Sequence, residues 1–457
     1  MAERECDLIV IGAGPAGEVC AGRAASRGLE VALVEQELVG GECSYYACMP
    51  SKALLRPGEL LAETQRVPGV AELASGELDA ATVLRRRDEV IHHRDDATQL
   101  PWLEGRGVEL LRGAARFEAE RLVSVGGERL RARNAVVVAT GTAAAIPPID
   151  GLAEARPWTN REATTANEVP RRLLILGGGA VGVEMAQAWS SLGSTVALVE
   201  VEDRLLGTEE PFASEEITAG LEAAGVEIRT RARASAASRG DGGRITLELE
   251  GGDRLQGDEL LVAVGRRPRT AELGLEAVGV DPAGYLEVDD QMRVGGSDWL
   301  YAIGDVNGRA LLTHMGKYQA RVAADHILGD ADVAARSDLI GSPRVVFTEP
   351  QLGAVGLTLA GARDRGIEAQ AVDVPTAANA GASFIGRNAP GTSRLVVDDG
   401  RGIVVGASFV GPEIAESLHA ATIAVAAEVP LTRLWHAVPA FPTRSELWLR
   451  LLEEYGL

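Results

Sequence analysis

Leu8-Ile9-Val10-Ile11-Gly12-Ala13-Gly14-Pro15-Ala16-Gly17 is the stretch that decides the fold, because the chain repeats it as Leu173-Leu174-Ile175-Leu176-Gly177-Gly178-Gly179-Ala180-Val181-Gly182. Each copy reads as a short apolar strand, a GxGxxG turn and the start of a helix. Eleven residues after the last glycine of each turn comes another, Gly28 and Gly193. Val-Ala-Leu-Val-Glu then follows in both, at 31–35 and 196–200, with the glutamate 23 residues after the first glycine. That spacing has a physical reading. The first glycine makes the tight turn, the second admits a pyrophosphate close to the backbone, and the third lets the helix pack on the strand. Glu35 and Glu200, at the ends of the second strands, can accept hydrogen bonds from a ribose diol. A single Gly-rich turn is a weak signal. Two, each between strand and helix and each ending in an acid, predict two dinucleotide-binding units: a bound flavin at Gly12, Gly14, Gly17 and Glu35, and an exchanging nicotinamide at Gly177, Gly179, Gly182 and Glu200. The carboxylate of Glu200 disfavours a 2′-phosphate, so NAD is expected over NADP.

The rest of the composition agrees. A chain of 457 residues exceeds one hydrophobic core and implies several domains. Apolar residues make up 46% of it, enough for large cores, while aromatics are only 4%. A formal charge of −21 suits neither a nucleic-acid backbone nor an anionic membrane. No apolar stretch approaches 18 residues, and the first strand, expected from about Asp7, leaves no room for a signal peptide, so a cytoplasmic protein is expected. There are four cysteines. In a reducing compartment a close pair among them does chemistry or binds metal more readily than it forms a structural framework.

That pair lies in Gly40-Gly41-Glu42-Cys43-Ser44-Tyr45-Tyr46-Ala47-Cys48-Met49-Pro50-Ser51-Lys52. Taken alone, Cys43 and Cys48 are buried small hydrophobes, metal ligands or redox groups. Zinc would want four ligands, and Cys6, abutting the first strand, and Cys20, on the helix after the glycine turn, are committed elsewhere. No metal site is expected.

The segment resembles the active-site helix of the class I pyridine nucleotide–disulfide oxidoreductases, a family that includes dihydrolipoamide dehydrogenase, glutathione reductase and mercuric reductase. Its pattern is GGxCxxxxCxPxK, and every fixed position is matched. The resemblance implies that Cys48 faces the flavin as a charge-transfer thiolate and that Cys43 is the interchange thiol. It implies that Lys52 lies near the flavin N5 and pairs with Glu184, a cation that favours thiolate and reduced flavin. It extends over nearly the whole chain. Ala139-Thr140-Gly141 looks like the crossing between the nucleotide domains, and Val264-Gly265-Arg266-Arg267-Pro268 like the return. Tyr301-Ala302-Ile303-Gly304-Asp305 is similar to the second FAD motif, with Asp305 on the ribitol. Thr313 would begin a helix whose dipole stabilises reduced flavin. Cofactor contacts are thus also expected at Gly41, Thr140, Gly141, Gly304, Asp305, Thr313, Gly265 and Arg266. The implied architecture is α/β: two Rossmann-like dinucleotide-binding domains plus an α+β dimerisation domain. FAD would use 1–150 and 273–340, NAD(P) 151–272, and the interface 341–457, in a homodimer whose active sites are each completed by the partner's C-terminal region.

The pattern breaks at two places. Ser-Tyr-Tyr-Ala fills the space between the cysteines, where the family has smaller residues. And where disulfide-reducing members read His-Pro-Thr-x-x-Glu, with the His as acid/base and the Glu orienting it, this chain reads Phe441-Pro442-Thr443-Arg444-Ser445-Glu446. Phenylalanine transfers no proton, and loss of a positioned acid/base costs about 10²–10⁴ in rate. His436, Tyr45 and Tyr46 are the candidate substitutes. Three acceptor classes follow: a disulfide with rerouted proton transfer, a quinone or dye that needs no acid/base, or a metal ion. The family's mercuric reductases also lack the His but carry a C-terminal cysteine pair, and this chain has no cysteine after Cys48. The reading that emerges is an enzyme passing electrons from NADH to a quinone, dye or other non-standard small-molecule acceptor, with a true disulfide reductase as the alternative. A flavoprotein redox sensor without turnover is a third reading, which Cys43, Cys48, Lys52 and Glu184 argue against, since a mere binder needs none of them.

Overall fold

The computed structural model describes residues 3–74 and 76–457. In it the chain divides into two compact units: residues 1–50, 88–145 and 265–338, and residues 51–87, 146–264 and 339–457.

The first unit is built on the strand of the first repeat. β1 (Glu3–Ile11) carries Leu8, Ile9 and Val10 without exposure, so both of its faces are covered, as in a parallel sheet clad by helices. It starts four residues before Asp7, the expected start. Glu3–Cys6 pair with Arg129–Ala132 of β3 (Glu128–Val138), so Cys6 lies inside the strand. Helix α1 (Pro15–Ala25) has Pro at its first position, where a missing N–H costs nothing, and buries Gly17, Cys20 and Ala24. β2 (Val31–Glu35) runs parallel to β1, and Val108–Arg112 parallel to β2. On the other side of β1 lies β3, parallel to it, followed by the antiparallel Leu122–Val125 and Ala115–Ala119; Leu300–Ala302 pairs parallel to β3. The sheet changes direction of progression at β1, the place outside strand ends where dinucleotides bind.

The second unit repeats this order. Glu227–Arg229, β5 (Thr195–Val199), β4 (Arg172–Leu176) and Glu259–Val262 form a parallel sheet, with helix α4 (Ala180–Ser191) after the second glycine turn. The same unit holds a five-stranded antiparallel sheet, whose central strands include Gln351–Gly356 and Ile403–Gly411, with helices Leu418–Ala426 and α6 (Leu447–Tyr455) packed on it. Leu54, Leu55, Val83 and Leu84 share one core with Leu173, Trp189 and Leu352, which explains why residues 51–87 belong to this unit.

Candidate active site

The two glycine turns are superimposable in their close contacts. A Cβ at Gly12 would lie 2.4 Å from the Ala139 carbonyl oxygen, and at Gly177 2.5 Å from that of Ala263. At Gly17 it would lie 1.8 Å from the Gly12 oxygen, and at Gly182 1.9 Å from that of Gly177. The middle glycines, Gly14 and Gly179, have open space where their Cβ would stand. First and third glycines are therefore demanded by the protein's own backbone, whereas the second leaves room for a ligand. The acids are held alike. Glu35 accepts the Ala13 and Glu37 N–H groups, both at 2.7 Å; Glu200 accepts those of Gly178 at 2.5 Å and Glu202 at 2.8 Å. Each carboxylate keeps lone pairs for a diol.

Helix α5 (Thr313–Ile327) lies alongside α1 and runs in the same direction. Ala16 meets Gly316 near the start of the two helices, and Arg23 forms a double hydrogen bond with Asp325, 2.7 and 2.6 Å, near their ends. Both helix N-termini thus face the same end of the unit, a setting that favours an anionic diphosphate and an electron-rich ring. Gly304 (φ +73°) donates its N–H to Gln319 Oε1 at 2.8 Å, and Asn307 Nδ2 reaches the same oxygen at 2.9 Å, which locks the turn carrying Asp305 onto α5.

The sequence-expected residues around Asp305 come together. Thr142 donates to Asp305 Oδ2 at 2.8 Å, and Arg266 donates Nε–H to the Thr142 hydroxyl at 2.5 Å. Burial pushes the Asp305 carboxyl up, while Thr142 and Arg266 pull it down. Thr140 donates to the Arg269 carbonyl at 2.7 Å, and the Arg269 N–H to Gly141 O at 3.0 Å. Arg269 also holds Glu42, the residue before Cys43, at 2.9 Å. Thr142, Arg269, Glu42 and Gln319 had no motif to mark them.

Cys43 lies in α2 (Gly41–Tyr45), and Cys48 opens α3 (Cys48–Arg66). Gly41 (φ +56°) packs so closely on Gly14 that a Cβ would stand 2.9 Å from its Cα, which seats the cysteine turn over the first glycine loop. Cys48 Sγ lies 3.3 Å from Thr313 Oγ1. A hydrogen bond with Cys48, then burial, push the Cys43 thiol well up; Thr313 and Lys317 pull it the other way. A helix N-terminus lowers the cost of a thiolate at Cys48.

In the second unit Lys52 donates to Glu184 Oε2 at 2.7 Å, and Glu184 Oε1 accepts the Phe347 N–H at 3.0 Å. The ammonium stands 4.8 Å from the Phe347 ring centroid. Phe347 is a member of this cluster that spacing alone did not reveal. Glu184 is buried, so the ion pair is shielded on one side.

Near the C-terminus, Phe441 is 77% exposed, and His436 is exposed as well. Glu446 is 7% exposed, and its Oε2 has no hydrogen-bond partner among the described residues. The described residues contain no cluster of three or more metal-ligating side chains, and no helix among them is long and apolar enough to cross a membrane.

Comparison with known proteins bears on this arrangement. The family model described as pyridine nucleotide-disulphide oxidoreductase matches residues 6–326, and the dimerisation domain of the same family matches residues 342–451. The dihydrolipoyl dehydrogenase of Thermus scotoductus is 36% identical over 448 residues, covering 96% of this chain and 95% of that protein. The mercuric reductase of Acidithiobacillus ferrooxidans is 33% identical over 435 residues, covering 92% of this chain and 77% of that protein. Among solved structures, the HOCl-induced flavoprotein disulfide reductase RclA from Escherichia coli shares 27% identity at a TM-score of 0.86, covering 98% of this chain and 99% of that one.

Proposed function

This chain belongs to the pyridine nucleotide–disulphide oxidoreductase family, whose members use FAD and a nicotinamide dinucleotide, and from that premise we propose that it carries electrons from NADH through Cys43 and Cys48 to a quinone, a dye or a similar acceptor that needs no positioned imidazole. The observation that carries the reading is Phe441 in the place of the family's acid/base, with the Glu446 oxygen that would orient an imidazole left unpaired. NADH is preferred because Glu200 presents a carboxylate where NADPH would bring a phosphate.

Bound FAD supplies the hydride acceptor and the relay of electrons to the cysteine pair. The protein's own part is to hold and to gate. Gly12, Gly14, Gly17, Gly41, Glu35 and Asp305 hold the flavin nucleotide, with Thr140, Gly141, Gly304 and Thr313 around it. Gly177, Gly179, Gly182 and Glu200 serve the nicotinamide, and Gly265 and Arg266 add cofactor contacts at the return between the nucleotide domains. Cys48 at its helix N-terminus keeps a thiolate, Cys43 meets the acceptor, and Lys52 with Glu184 provides the cation near the flavin. We assign 1–150 and 273–340 to FAD, 151–272 to NAD(P) and 341–457 to the interface of a cytoplasmic homodimer.

A second reading, a disulfide reductase with a substitute acid/base, has support from the several relatives named dihydrolipoyl dehydrogenase. Anaerobic reduction with NADH, followed by lipoamide, oxidised glutathione and a quinone in turn, separates the two. Rapid reoxidation by the quinone alone is expected. Reoxidation by lipoamide at a comparable rate would overturn the proposal in favour of the second reading.

A further inference from the structure

We propose that Asp338 is a positioning residue for the flavin: through the Gln319 amide, its buried carboxylate fixes the Gly304–Asn307 turn that carries Asp305. The inference rests on the reading that Asp305 holds the flavin nucleotide.

The turn follows the strand Leu300–Ala302 and lies against α5, where a Cβ on Gly316 would stand 3.2 Å from Gly304 Cα. Gln319, further along α5, has no exposure. Its neighbours fix which end of the amide is which. The Gly304 backbone N–H is a donor and nothing else, and it reaches one end at 2.8 Å, so that end is the oxygen. Asn307 Nδ2 donates to the same oxygen at 2.9 Å and to Ala302 O at 3.1 Å. Asn307 Oδ1 accepts the Arg309 N–H at 3.0 Å, which settles this second amide in the same way. The Gln319 Nε2 end then needs an acceptor. It finds Asp338 Oδ2 at 3.0 Å.

Asp338 also closes the circuit. Arg309 Nε stands 3.2 Å from the same carboxylate oxygen, and the guanidinium donates to Asp289 O and Asp290 Oδ1, both at 2.9 Å. The Asp338 side chain has no exposure, and its Oδ1 has no hydrogen-bond partner among the described residues. Burial pushes this carboxyl up, while Gln319 and Arg309 pull it down. A buried carboxylate with an unused oxygen carries a desolvation cost that an apolar side chain of similar size would avoid. What the carboxylate supplies is direction. With an acceptor at its Nε2, Gln319 presents only oxygen to the turn. Without one, the amide is free to turn over and set Nε2 against the Gly304 N–H, donor against donor, and the peptide leading into Asp305 loses its anchor.

The test uses the FAD-loaded full chain. Release of FAD on dilution is followed by flavin fluorescence, and hydrogen exchange of the peptide carrying Gly304 by mass spectrometry. Asp338→Leu, similar in size but without an acceptor, should speed release on the order of tenfold and raise exchange at Gly304. Asp338→Asn, whose amide oxygen can stand in for Oδ2, should stay within about twofold of the wild type in both. Equal effects in the Leu and Asn variants, or none in Leu, would overturn the proposal, because the acceptor is what the two do not share. Should Asp338→Leu not fold, Gln319→Glu carries the test. Its second oxygen faces Asp338, so the two carboxyls have to share a proton. Release should quicken from pH 6 to pH 9 in that variant and stay level when Asp338→Asn is added, since an amide then faces a carboxylate again. A level profile in the single variant, or the same rise in both, would sink the idea. Asp305→Ala separates the proposal from the reading beneath it. If that variant keeps FAD as firmly as the wild type while Asp338→Leu raises exchange at Gly304, Asp338 holds the turn and it is the flavin reading of Asp305 that falls.

Discussion

Residue identities at a few positions govern the chemistry. Phe441 is the most consequential for the proposed function, since an exposed phenyl ring stands at the sequence position expected for the imidazole. Phe441→His supplies an imidazole at the motif position expected for it, so under the proposed function lipoamide turnover should rise by ~10² or more, with quinone turnover little changed; steady-state rates with both acceptors check this. Glu18 makes a separate claim on stability. Its carboxyl titrates near 7 in the fold against 4.5 for the ordinary group, so the folded state holds a proton that the unfolded chain releases across that interval. The unfolded state binds fewer protons there, so the contribution of Glu18 to stability falls as pH rises from 4.5 to about 7 and is lost above it. Urea midpoints measured at pH 5 and pH 8 should therefore differ less in Glu18→Gln than in the wild type, other groups being common to both.

At the scale of an element, each strand–turn–helix unit separates what the backbone requires from what the ligand requires. Gly17→Ala would drive a methyl group to 1.8 Å from the Gly12 carbonyl oxygen and must displace α1 from β1. Gly14→Ala meets nothing within the protein. The Gly17 variant should lower the melting temperature of the FAD-free protein. The Gly14 variant should melt like the wild type when stripped of FAD yet lose flavin affinity on the order of tenfold, ~1.4 kcal/mol. Melting of both apo-variants beside flavin fluorescence titrations distinguishes them. Helix α3 carries a further consequence. Lys52 is fixed by Glu184, which Phe347 anchors in turn, so Glu184→Gln should slow flavin reduction by NADH in stopped-flow while the overall fold persists by circular dichroism.

For the whole molecule, the C-terminal half exposes a set of large apolar side chains that an isolated chain would not present: Phe384 at 72%, Val438 at 84% and Phe441 at 77%. They lie in or beside the segment matched by the family's dimerisation domain. Introducing a charge there, Val438→Asp, should turn a dimer into a monomer in sedimentation velocity. NADH should still reduce the flavin of that monomer, and turnover with external acceptors should be lost, because the partner's C-terminal segment would no longer complete the site.

The paired motifs were readable from the chain alone because glycine positions in a strand–turn–helix unit answer to local geometry. Gly17 abuts the Gly12 carbonyl oxygen five residues away, and the acids at Glu35 and Glu200 follow from strand length. The cysteine spacing was legible for the same reason: six residues span one short helix and the start of the next. The expected loss of the acid/base rests on a single letter, Phe441, in an otherwise matched motif. What the sequence could not supply was anything that depends on two distant segments meeting. The strand start at Glu3 is set by pairing with Arg129, the hold of Arg269 on Glu42 joins positions 227 residues apart, and Phe347 reaches Glu184 across 163. Local backbone demands leave a periodic trace in sequence; side-chain electrostatics assembled by packing leave none.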